Sequence, residues 1–237
     1  MKLLSVIIPA YNEEATVYQI LERIVESKTE GVQKEIFVID DCSTDKTVNK
    51  VELFLKNFPE KKLRLIKLEK NSGKGAAIHR GIEEAGGDFI IIQDADLEYH
   101  PRDYEKLLLP VLEEKADVVY GSRFQGSAPH RVLFFWHSMG NKFLTLLSNL
   151  FTNLNLTDME TCYKLFRSDI LKKLYLKEKR FGFEPEVTAK VSRIPGIRIY
   201  EVGISYYGRR YFEGKKIKWK DGARAIYCIL KYNLFRR

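Results

Sequence analysis

No stretch of the sequence reaches the roughly 18 to 20 uninterrupted apolar residues that a membrane-spanning helix requires, so any contact with a bilayer is expected to be peripheral. Cysteine is scarce as well. Cys42, Cys162 and Cys228 are odd in number, far apart and without CxxC or metal-ligand spacing. That excludes a disulfide framework and a cysteine-held zinc, and fits reduced thiols in a cytosolic protein. Low-complexity tracts and repeats of solenoid period are absent, so neither disorder nor a repeat array explains the chain. A secretory signal is excluded too. Met1 and Lys2 precede an apolar run from Leu3 to Ile8, but Pro9 and the Glu13–Glu14 pair end it too early, and no small-residue cleavage site follows.

What remains is an ordinary globular composition, 45% apolar and 30% charged over 237 residues, long enough for one sizeable α/β core. The formal net charge of +8 is unevenly placed. Ten Lys or Arg and two acidic residues fall between Arg209 and Arg237, so this segment carries the whole excess and the remainder balances at 30 basic against 30 acidic residues. A local basic face points to a local anionic partner, whether lipid headgroups, a phosphorylated substrate or nucleic acid.

Short, β-branched apolar runs closed by polar turn residues predict buried parallel strands over Leu3 to Pro9, Glu35 to Asp40 and Asp88 to Gln93. Shorter strands are expected around Leu63 to Leu68 and Asp117 to Tyr120. Between them, Glu13 to Ser27 and Thr44 to Phe58 carry apolar residues at helical spacing, and a further helix is expected over Ala76 to Glu84 after the glycine turn Gly73-Lys74-Gly75. Alternating strand and helix is the pattern of a doubly wound sheet, in which ligands gather at the carboxyl ends of the strands. Two later segments, Arg131 to Leu156 and Asp221 to Arg237, read as amphipathic helices suited to an interface.

The segment DFIIIQDADLEYHP, Asp88 to Pro101, concentrates the chemistry. In an extended chain Asp94, Asp96 and Glu98 would point the same way, and clustered carboxylates repel unless a hard divalent cation joins them. Mg²⁺ keeps coordination positions for phosphate oxygens, so a nucleotide diphosphate is the expected ligand.

PAYNEE (Pro9 to Glu14), VIDDCSTDKT (Val38 to Thr47), NSGKGAAI (Asn71 to Ile78), DADLE (Asp94 to Glu98), GSRF (Gly121 to Phe124) and GRRYFEGKKIKWKDG (Gly208 to Gly222) together resemble family 2 glycosyltransferases of the GT-A fold. The likeness is to the dolichyl-phosphate mannose synthase-like branch, which includes bacterial polyprenyl-phosphate sugar transferases. It implies a mostly parallel α/β sheet flanked by helices with C-terminal amphipathic segments. One domain is expected over 1–237, with 1–124 as the nucleotide-sugar half and 125–237 as the acceptor half with interfacial helices.

Residue by residue, the resemblance implies that Pro9, Tyr11, Glu13, Ile39, Asp41, Lys74, Asp94, Ala95, Asp96, Arg209 and Lys215 surround the donor, with Asp40 a weaker substitute for Asp41. Asp96 and Glu98 match the metal pair for Mg²⁺ or Mn²⁺, and Asp96, Arg123 and Arg209 are the expected catalytic groups. Arg123, Arg131 and Lys215 are expected at an acceptor phosphate, with Arg210 and Lys216 weaker. The planar donor fork of arginine suits phosphate oxygens. Glu184 and Glu186 orient arginines or acceptor, or form structural salt bridges.

The expected reaction is inverting displacement that moves a hexose from a GDP-mannose- or UDP-glucose-type donor to a polyprenyl phosphate, an acceptor that needs no general base. A hydroxyl acceptor would need one, and Asp158 or Glu160 in TDMETCYKLF would supply it. Absent spanning helices and a QxxRW motif disfavour a processive polymer synthase. A basic module binding nucleic acid or anionic membrane would leave the DADLE segment idle. Expected partners are therefore the nucleotide sugar, the lipid phosphate, an anionic membrane surface at its cytoplasmic face and a membrane protein, but no nucleic acid.

Overall fold

The computed structural model describes residues 1–126, 135–208 and 219–235. Five parallel-type strands form in the expected places: β1 Lys2–Ala10, β2 Val32–Asp40, β3 Leu63–Lys67, β4 Phe89–Ile92 and β5 Val118–Ser122. Two more join them, β6 Lys164–Arg167 and β7 Ile199–Gly203, in one sheet of order β3-β2-β1-β4-β6-β5-β7. All neighbours run parallel except β6, which is antiparallel to both β4 and β5. Because β6 reverses twice, β4 and β5 still point the same way, and β1, β2, β4 and β5 end at a common edge.

The helices are α1 Val17–Glu26, α2 Thr47–Asn57, α3 Lys74–Glu84, α4 Tyr104–Leu112, α5 Phe135–Thr152, α6 Ser168–Leu171, α7 Phe183–Val191 and α8 Trp219–Leu234. The pleat sends alternate residues of β1 to opposite faces. Leu4, Val6 and Ile8 pack with α1, α2 and α4 through residues such as Ile20, Phe54 and Leu107. Ile7, with Phe37 and Ile39 of β2, packs with α3, α7 and α8 through Ile78, Val187 and Ile229. A sheet covered on both faces explains why its strands read as unbroken apolar runs.

One expectation is corrected at the most informative segment. β4 ends at Ile92, and the chain bends through residues 95–98 rather than continuing extended. Leu97 adopts φ 65°, so the alternation assumed for Asp94, Asp96 and Glu98 does not apply. Asn12 (φ 51°) and Cys42 (φ 60°), which follow β1 and β2, share this left-handed backbone. The conformation costs a non-glycine residue about 1–2 kcal/mol, and such cost concentrates at functional edges.

Candidate active site

The loops at the common edge are stitched together before any ligand arrives. The backbone N–H groups of Asn12, Glu13 and Glu14 donate to Ser43 Oγ, Thr47 Oγ1 and Asp45 Oδ2 at 3.0, 2.8 and 3.1 Å. Thr16 Oγ1 donates to Glu13 Oε2 at 2.9 Å. Pro9 and Ile39 are register partners at the ends of β1 and β2, and Tyr11 stands partly exposed just beyond. The Ile39 side chain is in the core, fully buried.

Asp41, expected at the nucleoside base, shapes the neighbouring turn. Its Oδ1 and Oδ2 accept from the N–H groups of Ser72 and Gly73 at 2.7 and 2.8 Å. Asp40 accepts from Ser43 N–H through Oδ2 at 3.1 Å, while its buried Oδ1 has no partner. The glycine turn answers to the protein's own packing. A Cβ on Gly73, whose φ is 95°, would lie 2.6 Å from the Lys179 carbonyl, and one on Gly75 would collide with the Glu178 carbonyl. The glycines admit the protein's own segment 178–180.

Lys74 opens α3 and turns its ammonium inward, 2.7 Å from Asp94 Oδ1, 3.7 Å from Glu184 Oε1 and 2.9 Å from Cys162 Sγ. Burial alone would lower its pKa, but the Asp94 carboxylate, with Cys162 and Glu184, holds it well above the usual lysine value. It is a permanent cation beside the DADLE turn. Ala95 is buried within that turn, and Asp96 Oδ1 accepts the Glu98 N–H at 3.2 Å. Glu98 Oε2 accepts the Tyr206 hydroxyl at 2.9 Å. Burial, with Glu98 beside it, pushes that phenol up, so it remains a donor.

Gln93, which the sequence reading passed over, anchors the turn from beneath. Its fully buried Oε1 accepts the hydroxyls of Tyr104 and Tyr163, both at 3.0 Å, and its Nε2 donates to the Asp94 carbonyl at 3.1 Å. An amide closing an otherwise apolar strand was the available signal.

Among the described residues no group of three or more His, Cys, Asp or Glu is gathered as a closed metal cage. Asp96 and Glu98, partly exposed carboxylates in one turn, fit a hard cation that takes one or two protein oxygens and completes its shell with substrate phosphates.

Arg123 follows β5 and lies buried against the same edge. Its Nε and Nη2 donate to Asp158 Oδ2 and Oδ1, both at 2.7 Å, and its backbone N–H adds 3.0 Å to Oδ2. The guanidinium sits 5.4 Å from the centroid of the Tyr206 ring. Asp158, read from the sequence as one possible base, is thus committed to Arg123. Glu201 of β7 accepts the N–H groups of Thr157 and Asp158 at 2.9 and 3.1 Å and fixes that corner. Glu184 joins the Lys74 cluster. Glu186 instead accepts from the N–H groups of Lys177 and Glu178 at 2.8 and 2.7 Å and pairs with Lys190 at 2.6 Å, a structural role. Arg131, Arg209, Arg210, Lys215 and Lys216 lie outside the described residues.

Comparison with known proteins shows the fold and the family. The chain is 27% identical over 235 residues to the dolichol-phosphate mannosyltransferase of Pyrococcus furiosus, covering 96% of this chain and 64% of that protein. It is 26% identical over 209 residues to the dodecaprenyl-phosphate galacturonate synthase of Rhizobium johnstonii, covering 88% and 60% respectively. The chain therefore spans less than two thirds of the length of these two relatives. Glucosyl-3-phosphoglycerate synthase of Mycobacterium tuberculosis, solved with Mn²⁺, UDP and glucosyl-3-phosphoglycerate, superimposes with a TM-score of 0.76 at 20% identity, covering 100% of this chain and 81% of that one. That likeness shows the fold, which is the GT-A type implied by the motifs. The glycosyl transferase family 2 pattern matches residues 5–175, and with the DADLE turn, the Lys74 cluster and Arg123 assembled at one sheet edge, this chain belongs to that family.

Proposed function

We propose that the chain transfers a hexose, with inversion, from a nucleotide diphosphate sugar of the GDP-mannose or UDP-glucose type to a polyprenyl phosphate. The observation carrying this reading is the pairing at one edge of a donor-side cluster, Lys74 with Asp94, Asp96 and Glu98, and a buried arginine, Arg123, preset by Asp158. The relatives named for dolichol and dodecaprenyl phosphate support the acceptor class.

An acceptor phosphate oxygen attacks the anomeric carbon as the bond to the nucleoside diphosphate breaks on the opposite face. The attacking group is already anionic, so no proton need be removed. Arg123, held rigid by Asp158 through Nε and Nη2, orients it from its Nη1 side. Lys74 and the basic residues Arg209 and Lys215 offset the charge that grows on the leaving diphosphate. Mg²⁺ or Mn²⁺ held by Asp96 and Glu98 would add Lewis-acid stabilisation of that same charge.

Access to a lipid acceptor follows from α5 and α8, which pack together. Along α5, Met139, Phe143, Leu146 and Leu150 are exposed at helical spacing, Leu150 by 73%, with Trp136 exposed by 82% at its start. Leu234, which ends α8, and Phe235 just after it are also exposed. Exposed apolar faces of this kind, in a chain whose basic excess lies after Gly208, suit an anionic membrane surface, here assigned to the cytoplasmic face, where a membrane protein can also engage the chain. No described helix is long and apolar enough to cross a membrane.

The test is incubation of the protein with a divalent cation, a panel of radiolabelled nucleotide sugars and a short polyprenyl phosphate, followed by organic extraction. Extractable label, reduced at least about 100-fold in Asp96→Ala, is expected. Release of nucleoside diphosphate without extractable label would move the acceptor to a hydroxyl.

A further inference from the structure

The loop between α5 and β6 carries Glu160 between two residues that touch the two charged groupings of the site. Two residues before it, Asp158 holds Arg123. Two residues after it, Cys162 touches Lys74, whose ammonium meets Asp94. Glu160 Oε1 is buried and has no hydrogen-bond partner. Orphaned polar atoms inside a protein are costly and rare unless a ligand satisfies them.

The charged groups around Glu160 come from every side: Glu184 on α7, Lys164 on β6, Arg123 after β5 and Asp158 in its own loop. Neither cation pairs with Glu160 Oε1. Lys164 donates to the Met159 carbonyl at 2.9 Å and to that of Thr161, and Arg123 is engaged by Asp158. Burial, reinforced by Glu184, pushes the Glu160 carboxyl up to about 8. At neutral pH it is therefore mostly protonated, an O–H donor with a carbonyl acceptor beside it. That makes it a poor general base and a good partner for an alcohol.

We propose that Glu160 recognises the donor sugar, its carboxyl hydrogen-bonding a hydroxyl of the hexose that lies between the Lys74–Asp94 pair and Arg123. The inference rests on the glycosyl-transfer reading of this edge but not on the identity of the acceptor. A site built to bond a hydroxyl discriminates far more sharply between sugars than an apolar pocket does.

The experiment titrates nucleotide sugars, their epimers and the matching sugar-free nucleoside diphosphate into wild type, Glu160→Gln and Glu160→Ala, without acceptor. Glu160→Gln keeps a donor and an acceptor and is expected to bind the preferred nucleotide sugar within about threefold of wild type. Glu160→Ala is expected to lose about 10- to 100-fold in that affinity and to discriminate less against the epimer. The sugar-free diphosphate should bind all three proteins alike, which also shows that the site is intact. Turnover at limiting donor should fall in wild type as pH rises through about 8, a limb missing from Glu160→Gln.

Unchanged sugar affinity and discrimination in Glu160→Ala would overturn the proposal, as would a parallel loss of diphosphate binding. Normal donor binding with abolished transfer in Glu160→Gln would assign a base instead and overturn it equally. Wild type that binds no nucleotide sugar would overturn the glycosyl-transfer reading itself. Intact donor recognition without lipid labelling would overturn only the lipid acceptor.

Discussion

Replacing Asp158 by Asn tests how the acceptor side of the site is held. The carboxylate is fully buried and meets Arg123 Nε and Nη2 at 2.7 Å each, with a further 3.0 Å bond from the Arg123 N–H. Asparagine has nearly the same shape, but one of its two terminal atoms becomes an N–H donor facing another donor. The guanidinium, only 8% exposed, then keeps its charge and loses its counterion. Removing one partner of a buried pair costs about 3–5 kcal/mol, and a chain of this size loses about 2–4 °C in Tm per kcal/mol. Thermal unfolding should therefore fall by about 6–20 °C. The double variant Arg123→Met with Asp158→Asn removes the stranded charge as well, and should be more stable than the sum of the single changes by about 2–3 kcal/mol. A drop below about 2 °C in Asp158→Asn, or strict additivity in the double variant, would refute the view that this pair presets Arg123.

Two further outcomes are expected. Glu178 accepts Arg224 at 2.6 Å, Lys231 at 3.0 Å and the Tyr232 hydroxyl at 2.8 Å, tying α8 to the segment beneath the glycine turn. Burial works against its ionisation, but these donors draw its pKa down to about 2. A depressed carboxylate stabilises the fold above its unfolded value of about 4.3 and loses that contribution as pH falls. The Tm difference between wild type and Glu178→Gln should be largest near neutrality and shrink steadily below about pH 4; a pH-independent gap would contradict this. On α5, Leu146→Ser with Leu150→Ser changes side chains that are 60% and 73% exposed, so stability should move by less than about 1 kcal/mol. Flotation with anionic vesicles should fall at least several-fold, and undiminished flotation would show that this face does not meet the membrane.

Much of the first 122 residues is legible in the sequence because the sheet's central strands are buried on both faces and read as continuous apolar runs. β6 escapes that reading. It has four residues, Lys164–Arg167, and its place between β4 and β5 is fixed by pairing with strands more than 40 residues earlier. α4 is obscured by Pro110, which sits inside Tyr104–Leu112. In the site, the DADLE motif was visible, but not the bend at Leu97 that ends its extended alternation. The sequence also marked Asp158 and Glu160 as acids of interest without separating them; burial against different neighbours makes one an anchor for Arg123 and leaves the other with an unpartnered oxygen.

The amino-acid sequence alone determined the alternation of strands and helices, the edge at which polar residues collect and the concentration of positive charge after Gly208, because each depends on periodicity or composition within a short window. Tertiary structure alone decided the pairings: Lys74 with Cys162 across 88 positions, Arg123 with Asp158 across 35, and the glycine turn against Glu178 and Lys179. Desolvation and hydrogen bonding set what a carboxylate or ammonium can do, and both are properties of neighbours that only the folded chain brings together.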